Sequence, residues 1–147
     1  MNNPDKLRRF LVDAYAAASH SKDRSTKVGA IALGPDWEYR TGGWNGFPRG
    51  CNDELEERHA RPEKYLWTEH SERNLIYNAA RVGIPLRGCT LLCTHPPCAD
   101  CARGIVQAGF VRVAFPAPDT EFLSRWEESM KFSLDLFKEV GIEVIVL

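Results

Sequence analysis

The chain has 147 residues, of which 44% are hydrophobic and 27% charged. This is enough apolar material for one hydrophobic core, and the chain is too short for two catalytic domains. Its 19 Lys and Arg residues against 20 Asp and Glu residues give a net charge of −1, which does not suit general electrostatic capture of nucleic acid or of an anionic membrane. We therefore expect a single domain over residues 1–147 that recognises a small ligand.

The sequence has no apolar run of the roughly 18 residues that span a membrane, and no charged segment followed by an apolar one that marks a signal peptide. We therefore predict a cytoplasmic location. In a reducing compartment, clustered cysteines are more often metal ligands, catalytic groups or buried apolar residues than disulfides. The five cysteines are Cys51, Cys89, Cys93, Cys98 and Cys101.

The first half of the chain predicts one helix and a hairpin. Residues 5–18 carry apolar side chains at spacings of three and four, which is typical of a helix with one buried face. Val28–Leu33 is a short apolar strand, Gly34-Pro35-Asp36 predicts a turn, and Trp37–Gly43 is the antiparallel partner. Residues 44–67 show no clean period, so we predict a long surface loop there.

In the second half, helices and strands alternate. We predict a helix over residues 68–81, a strand over Thr90–Thr94, a helix over Cys98–Ala108, a strand over Val111–Phe115, a helix over residues 119–139 and a final strand over Glu143–Leu147. Strands separated by helices imply right-handed crossovers and parallel pairing. The predicted fold is therefore of the α/β class, a three-layer α/β/α domain on a mixed five-stranded sheet.

The helix over residues 119–139 has an unusually wide apolar band. Its predicted core stripe consists of Phe122, Leu123, Trp126, Met130, Leu134 and Phe137. Phe132 and Leu136 extend the stripe sideways, which favours contact with another subunit and hence a homo-oligomer. The alternative is that a small domain exposes some apolar residues without any partner.

Two cysteines and a histidine are spaced as metal ligands. Cys98 and Cys101 lie three residues apart at the start of a predicted helix, so both sulfurs can reach one zinc ion. His70 begins another helix and supplies a third ligand, which leaves one position open for water, as in catalytic zinc sites. Mid-helix, Glu72 and His70 would diverge by about 200°, so we place His70 at the helix entrance with Glu72 facing the zinc-bound water.

Two other interpretations of the cysteines remain open. Cys98 and Cys101 could form a thioredoxin-like redox pair, but this leaves the neighbouring histidine and glutamate without a role. A structural zinc site could instead take Cys89 or Cys93 as its fourth ligand, although both are more simply explained as small buried residues near a strand.

The motifs His70-Ser71-Glu72 and Pro97-Cys98-Ala99-Asp100-Cys101 resemble the signature of the zinc-dependent cytidine deaminase superfamily. Within it, the chain most resembles the deoxycytidylate (dCMP) deaminase family. This likeness rests on Lys27-Val28-Gly29-Ala30, on Gly43-Trp44-Asn45-Gly46 and on Gln107-Ala108-Gly109, and it covers residues 25–115.

The resemblance implies hydrolytic deamination of dCMP to dUMP in pyrimidine deoxynucleotide metabolism. One Zn²⁺ would convert water to hydroxide, which attacks C4 of the cytosine, and Glu72 would shuttle the protons. The resemblance also implies that the Cys98 backbone N–H steadies the nucleophile and the Ser71 backbone N–H the base carbonyl. The Pro97 carbonyl would accept a hydrogen bond from the departing amine.

The same resemblance suggests residues that bind the rest of the nucleotide. Asn45 would contact the base or the sugar, although an asparagine before glycine is also an ordinary turn residue. Arg24, Ser25 and Lys27 precede the first strand and could bind the phosphate. Charged residues in such a loop are, alternatively, simply solvated.

Many members of the family are hexamers that dCTP activates and dTTP inhibits. Arg81 aligns with a position tied to this response, and Asn52 and Asp53 occupy the corresponding loop. An arginine near a helix C-terminus is, however, also favoured by the helix dipole alone.

The chain departs from the family at two positions next to the zinc histidine. Ser71 stands where alanine is usual, which leaves a backbone N–H contact intact. Glu69 is also unusual; with Thr68 as the helix N-cap, it would be a favourable first-turn acid, and otherwise it could reshape the pocket. A second, structural zinc site has too few candidates, namely Cys51, His59 and His20.

Two alternative functions share some of these features. A deaminase of a modified cytidine nucleotide or of tRNA adenosine would keep the same zinc site, although the lack of a basic face counts against tRNA. A zinc-stabilised binding module without activity would hold the metal with four protein ligands.

Overall fold

A computed structural model describes residues 3–147 of the chain. Its elements are α1 (Pro4–Ala18), β1 (Gly29–Leu33), β2 (Tyr39–Trp44), a 3₁₀ turn (Glu56–Arg58), α2 (Lys64–Trp67), α3 (Ser71–Val82), β3 (Thr90–Cys93), α4 (Ala99–Gln107), β4 (Arg112–Phe115), α5 (Thr120–Val140) and β5 (Glu143–Val146). Every predicted helix and strand is present, and the region predicted as a loop contains α2 and the 3₁₀ turn in addition. No helix formed by residues 3–147 is both long enough and apolar enough to cross a bilayer.

The five strands form one sheet in the order β2-β1-β3-β4-β5. β1 is antiparallel to both β2 and β3, whereas β3, β4 and β5 are parallel to one another. The mixed five-stranded sheet predicted from the sequence is therefore confirmed. β2 begins at Tyr39 rather than Trp37, because Trp37 still belongs to the turn, with a φ of 69°.

Helices cover both faces of the sheet. On one face, Leu7 and Ala14 of α1 are buried against Ile31 and Leu92. On the other face, helices α3, α4 and α5 bury Leu75, Ile105 and Phe137 against Leu91 and Val113. Each fully buried Leu, Ile, Val or Phe side chain stabilises the fold by about 1.5–3 kcal/mol relative to exposure.

At Gly43, β2 and α3 are in backbone contact. A Cβ atom at this position would lie 2.5 Å from the Leu75 nitrogen and 2.7 Å from the Ser71 carbonyl oxygen. Only glycine fits such an approach. The N-terminus of α3 is therefore held directly against the sheet.

Helix α3 begins later than predicted. Residues 68 and 69 are extended, because the Glu69 backbone exchanges two hydrogen bonds with Gly46, at 2.8 and 3.0 Å. The N-cap is consequently His70 and not Thr68. The prediction that Glu69 is a first-turn acid is wrong; its carboxylate accepts hydrogen bonds from the His70 N–H at 3.0 Å and from Arg73 Nε at 2.6 Å.

The apolar band of α5 is divided between two roles. Phe137 is buried in the core as predicted, whereas Phe122 and Trp126 line a cavity instead of the core. Phe132 is 47% exposed, and Leu136 is half-buried against the core. Phe132 therefore lies on the surface, while Leu136 contributes mainly to the chain's own packing.

Candidate metal centre and active-site cavity

The imidazole of His70 and the sulfurs of Cys98 and Cys101 meet at one point. His70 Nδ1 lies 3.4 Å from Cys98 Sγ and 3.5 Å from Cys101 Sγ, and the ligand atoms of all three residues lie within 4.8 Å of one another. A tetrahedral zinc ion with bonds of about 2.0–2.3 Å requires ligand atoms about 3.5–3.8 Å apart. The three side chains therefore fit zinc.

Two helix N-termini bring these ligands together. His70 is the N-cap of α3, Cys98 is the N-cap of α4, and Cys101 lies in the first turn of α4. The unpaired N–H groups and the positive dipole end of each helix favour the thiolate form, which is the form that binds metal. The Ala99 N–H donates to Ser129 Oγ at 2.8 Å and so fastens the start of α4 to α5.

The surroundings favour deprotonation of Cys98 but not of the other two ligands. The hydrogen bond from the Cys101 thiol, together with His70, lowers the pKa of Cys98 to about 4. The hydrogen bond that the Cys101 thiol donates to Cys98, together with burial, raises the pKa of Cys101. A bound cation would displace this thiol proton. Burial lowers the pKa of His70, but the Cys98 hydrogen bond and the Glu72 charge outweigh it, so this pKa is raised overall.

The metal site has three protein ligands. Within residues 3–147, no further His, Cys, Asp or Glu joins the group of His70, Cys98 and Cys101. Cys89 and Cys93 are buried in the core around β3, as predicted from their sequence context. Three ligands leave a position for water, as in catalytic zinc sites, and a four-ligand structural site has no fourth residue in the described part of the chain.

Arg73 supports the metal centre from outside and was not predicted. Its guanidinium donates to Glu69 and lies 3.6 Å from the carboxylate of Asp100. Asp100 lies between the ligands Cys98 and Cys101 in the sequence. Its charge also interacts with Cys101. Arg73 therefore ties the start of α3 to the start of α4, a contact for which the sequence alone gives no signal.

A cavity of about 400 Å³ opens beside the metal ligands. Of the predicted site residues, those that line it are His70, Cys98, Glu72, Ser71, Asn45, Ser25 and Lys27. Pro97 is buried, and its neighbour Pro96 forms the wall at that point. The cavity is large enough to be an ordinary small-molecule site.

Glu72 is the buried acid of this cavity. Its side chain accepts a hydrogen bond from Ser71 Oγ at 2.9 Å, and only 4% of the residue is exposed. Burial raises the pKa of Glu72 above its ordinary value. A carboxyl group whose pKa is raised towards neutrality can both accept and donate protons.

Asn45 holds the loop before β1 in place. Its Nδ2 donates to the Thr26 carbonyl at 2.9 Å, and its Oδ1 accepts from the Val28 N–H at 2.8 Å. The side chain thus braces the backbone next to Ser25 and Lys27, while also lining the cavity. Contact with a base or sugar stays a prediction.

Arg24 does not line the cavity, in contrast to its neighbours Ser25 and Lys27. Its guanidinium forms an ion pair with Glu56 at the 3₁₀ turn. The three residues predicted to bind the phosphate are therefore not gathered at one place.

Several cavity residues were not predicted to belong to the site, and two of them, Phe122 and Trp126, were predicted to lie in the core instead. The full set is Arg61, Lys64 and Tyr65 around α2, His95 after β3, and Phe122, Arg125 and Trp126 of α5. Trp126 packs edge-on against His70, with ring centroids 5.8 Å apart. No local pattern marks these residues as part of a site, because the tertiary fold alone brings α2 and α5 over the metal ligands.

The residues predicted to respond to effectors lie away from the cavity wall. Arg81 is exposed in the last turn of α3. Asp53 forms an ion pair with Lys22 at 2.8 Å, and Asn52 Oδ1 accepts from the Glu54 N–H. Their predicted role in dCTP and dTTP binding stays a prediction.

The chain matches the family model for the cytidine and deoxycytidylate deaminase zinc-binding region over residues 4–117. An "uncharacterized deaminase in luxG 3′ region" of Aliivibrio fischeri is 40% identical over 137 residues, 93% of this chain and 90% of that protein. Deoxycytidylate deaminase of Mus musculus is 34% identical over 111 residues, 72% of this chain, which spans only 61% of the mouse enzyme.

Among solved structures, dCMP deaminase from the cyanophage S-TIM5 in complex with dCMP and dUMP is 27% identical. It aligns with a TM-score of 0.79 and with 100% coverage of both chains.

An open metal position beside a buried carboxylate, at the meeting point of two helices on one face of a mixed sheet, is the arrangement of a zinc-dependent hydrolytic deaminase. The match to the family model over residues 4–117 and the similarity to the A. fischeri deaminase identify the family within this class. The chain belongs to the cytidine and deoxycytidylate deaminase family, as its motifs predicted.

Proposed function

We propose that the protein catalyses the hydrolytic deamination of dCMP to dUMP. The observation that carries the proposal is the convergence of His70, Cys98 and Cys101 beside the buried Glu72 in one cavity. Deoxycytidylate deaminases among its relatives and the cyanophage structure with dCMP and dUMP support this choice of substrate. The net charge of −1 makes a tRNA substrate a weaker alternative.

The reaction exchanges the 4-amino group of cytosine for oxygen. Zinc, when bound, supplies Lewis-acid activation of water at neutral pH. The water oxygen forms a bond to C4, the C4–N bond breaks, and the products are dUMP and ammonia. Glu72 accepts a proton from the water, passes one to N3 and assists the departure of the amine.

Backbone groups at the two helix starts would assist the same steps. The first N–H groups of a helix have no partner within the helix. The N–H groups of Ser71 and Cys98 are therefore suited to hold the base carbonyl and the attacking oxygen, respectively. The Pro97 carbonyl would accept a hydrogen bond from the amine as it leaves.

Replacing Glu72 with glutamine tests the proposal. We expect Glu72→Gln to retain zinc and to lose about 10²–10⁴-fold in kcat for dCMP, because the amide cannot shuttle protons. Zinc content and ammonia release are measured with dCMP, CMP, dCTP, cytidine and adenosine. Glu139→Gln, an exposed change near the end of α5, serves as the control and should behave as wild type. Equal ammonia release from Glu72→Gln and wild type would refute the mechanism.

We further infer that the protein is a cytoplasmic homo-oligomer. Its reduced cysteine ligands suit a reducing compartment, and the exposed Phe132 on α5 supplies an apolar contact for another subunit. A hexamer that responds to dCTP and dTTP is the form that the resemblance implies. Light scattering with and without each nucleotide would detect it, and a monomer under all conditions would contradict it.

A further inference from the structure

The cationic side chains of the cavity differ in whether they are already neutralised. Lys64 Nζ lies 2.9 Å from the Asp23 carboxylate, and both side chains are nearly buried, at 11% and 6% exposure. Arg125 lies 3.3 Å from Glu121. Lys27 and Arg61 also line the cavity, and neither forms an ion pair with any residue in the described range 3–147. Their charge is therefore available to an anionic ligand.

Arg61 is connected to the metal centre by a row of aromatic contacts. Trp126 packs edge-on against His70, and Tyr65 packs edge-on against Trp126, with centroids 6.5 Å apart. Arg61 Nε donates to the Tyr65 hydroxyl at 2.9 Å, and its guanidinium carbon lies 6.0 Å from the Tyr65 ring. Arg61 thus stands at the end of this row that is farthest from His70.

The bond to Tyr65 also orients the guanidinium. It uses Nε alone, so both terminal nitrogens remain for a ligand. A planar pair of N–H donors matches two oxygens of a phosphate, and a guanidinium held by a tyrosine loses less freedom on binding.

We infer that Arg61, assisted by Lys27, binds the 5′-phosphate of the nucleotide; this inference rests on the proposed function. In a pyrimidine nucleoside monophosphate, the 4-amino group and the phosphate lie at opposite ends of the molecule. With the amino-bearing carbon beside Glu72, the phosphate points away from the metal centre, towards the outer part of the cavity. Arg24, which is paired with Glu56, would first have to break an ion pair.

Arg61→Gln is the decisive variant. We expect it to lower kcat/KM for dCMP at least about tenfold, mainly through KM, because a charge-assisted contact to phosphate is lost. Activity on deoxycytidine, which has no phosphate, should not change. Arg61→Lys keeps the charge but not the paired donors and should recover only part of the loss. Arg9→Gln, an exposed change on α1 with the same change in net charge, serves as the control.

Binding without turnover provides a second readout. Calorimetry with dUMP and with deoxyuridine compares zinc-loaded wild type, Arg61→Gln and Arg24→Gln. We expect Arg61→Gln to weaken dUMP binding at least about tenfold, to leave any deoxyuridine binding unchanged and to reduce the salt dependence of dUMP binding. Arg24→Gln should weaken dUMP binding less than Arg61→Gln does.

The outcomes separate this inference from the proposed function. Unchanged dUMP affinity and dCMP kinetics in Arg61→Gln would overturn the inference, as would a larger effect of Arg24→Gln. Equal losses for dCMP and deoxycytidine would also overturn it, because they indicate a structural role. A wild type that binds dUMP through Arg61 but releases no ammonia would refute the proposed function alone.

Discussion

The hydroxyl group of Ser71 contacts the carboxylate of Glu72, the proposed proton shuttle. Its Oγ donates to Glu72 Oε2 at 2.9 Å, and Ser71 itself is fully buried. The alanine that is usual in the family at this position could not make this contact. We therefore infer that Ser71 positions Glu72 for its proposed role, because the hydrogen bond fixes one of the two carboxylate oxygens.

Ser71→Ala should lower kcat for dCMP about three- to tenfold without changing zinc content, because the loss of one hydrogen bond to a buried charged group loosens Glu72. Steady-state kinetics and metal analysis measure both effects. Ser19→Ala, an exposed serine at the end of α1, is the matched control. A wild-type kcat in Ser71→Ala would show that the backbone alone positions Glu72.

Single residues also show how much of the site could be predicted from the sequence. His70, Cys98 and Cys101 were predictable because each lies at a helix start that local patterns mark. Arg61 and Trp126 were not, because they reach the cavity only through the packing of α2 and α5. Arg24 was predicted beside Lys27, yet its ion pair with Glu56 holds it elsewhere.

Among the elements, the contact between β2 and α3 controls the position of the metal histidine. Gly43→Ala would place a methyl group 2.5 Å from the Leu75 nitrogen and push α3 away from the sheet. We expect destabilisation by about 1–3 kcal/mol, measured by urea unfolding, together with weaker zinc binding.

Gly46→Ala is the control for this prediction, because a Cβ atom there has no neighbour within 4 Å. It should cost less than Gly43→Ala in both measurements. Equal stability of the two variants would contradict the close approach of β2 and α3.

Helix α2 is held to the loop before β1 by the ion pair of Asp23 and Lys64. Burial acts to raise the pKa of Asp23, but hydrogen bonds from the Thr26 and Ser25 N–H groups and from Lys64 outweigh it and lower this pKa. A lowered pKa in the folded state gives stability above the unfolded value of about 3.9, and this stability is lost as the pH falls.

The advantage of wild type over Asp23→Asn in urea unfolding should therefore be full at about pH 6 and should shrink as the pH falls below about 4. The comparison is made between the two proteins at each pH, so that loss of metal at low pH affects both. Asp36→Asn, a change in the exposed β1–β2 turn that removes the same charge, is measured alongside as the control. A constant difference for Asp23→Asn across this range would contradict the role of its charge.

At the level of the whole molecule, the metal site connects the starts of α3 and α4, which are distant in the sequence. A ligand that binds only the folded state stabilises it, by about 2.7 kcal/mol at a hundredfold excess over its dissociation constant. Removal of zinc by a chelator should therefore lower the unfolding midpoint, and added zinc should restore it, as measured by calorimetry.

Cys98→Ser should abolish this response to the chelator, because it removes a metal ligand. Cys51→Ser should retain it, since Cys51 lies outside the ligand group. A midpoint that does not respond to the chelator in wild type would show that the ion contributes nothing to the fold.

The order of helices and strands could be predicted from the hydrophobic periodicity of the sequence, because apolar runs and turn residues mark each strand and helix locally. The start of α3 and the two roles of α5 could not. The start of α3 depends on a backbone exchange between Gly46 and Glu69. Trp126 faces the cavity and packs against His70, a residue of a distant helix start. Such contacts between distant segments leave no periodic trace in the sequence.

The matched family region ends at residue 117, yet Phe122, Arg125 and Trp126 form part of the cavity wall. The hydrolytic groups and this C-terminal wall thus come from different stretches of one chain. Exchanging residues 118–147 for those of a relative should therefore change which molecules the cavity accepts, while the metal ligands and Glu72 stay as they are. The boundary near residue 117 is thus a suitable junction for chimaeric proteins.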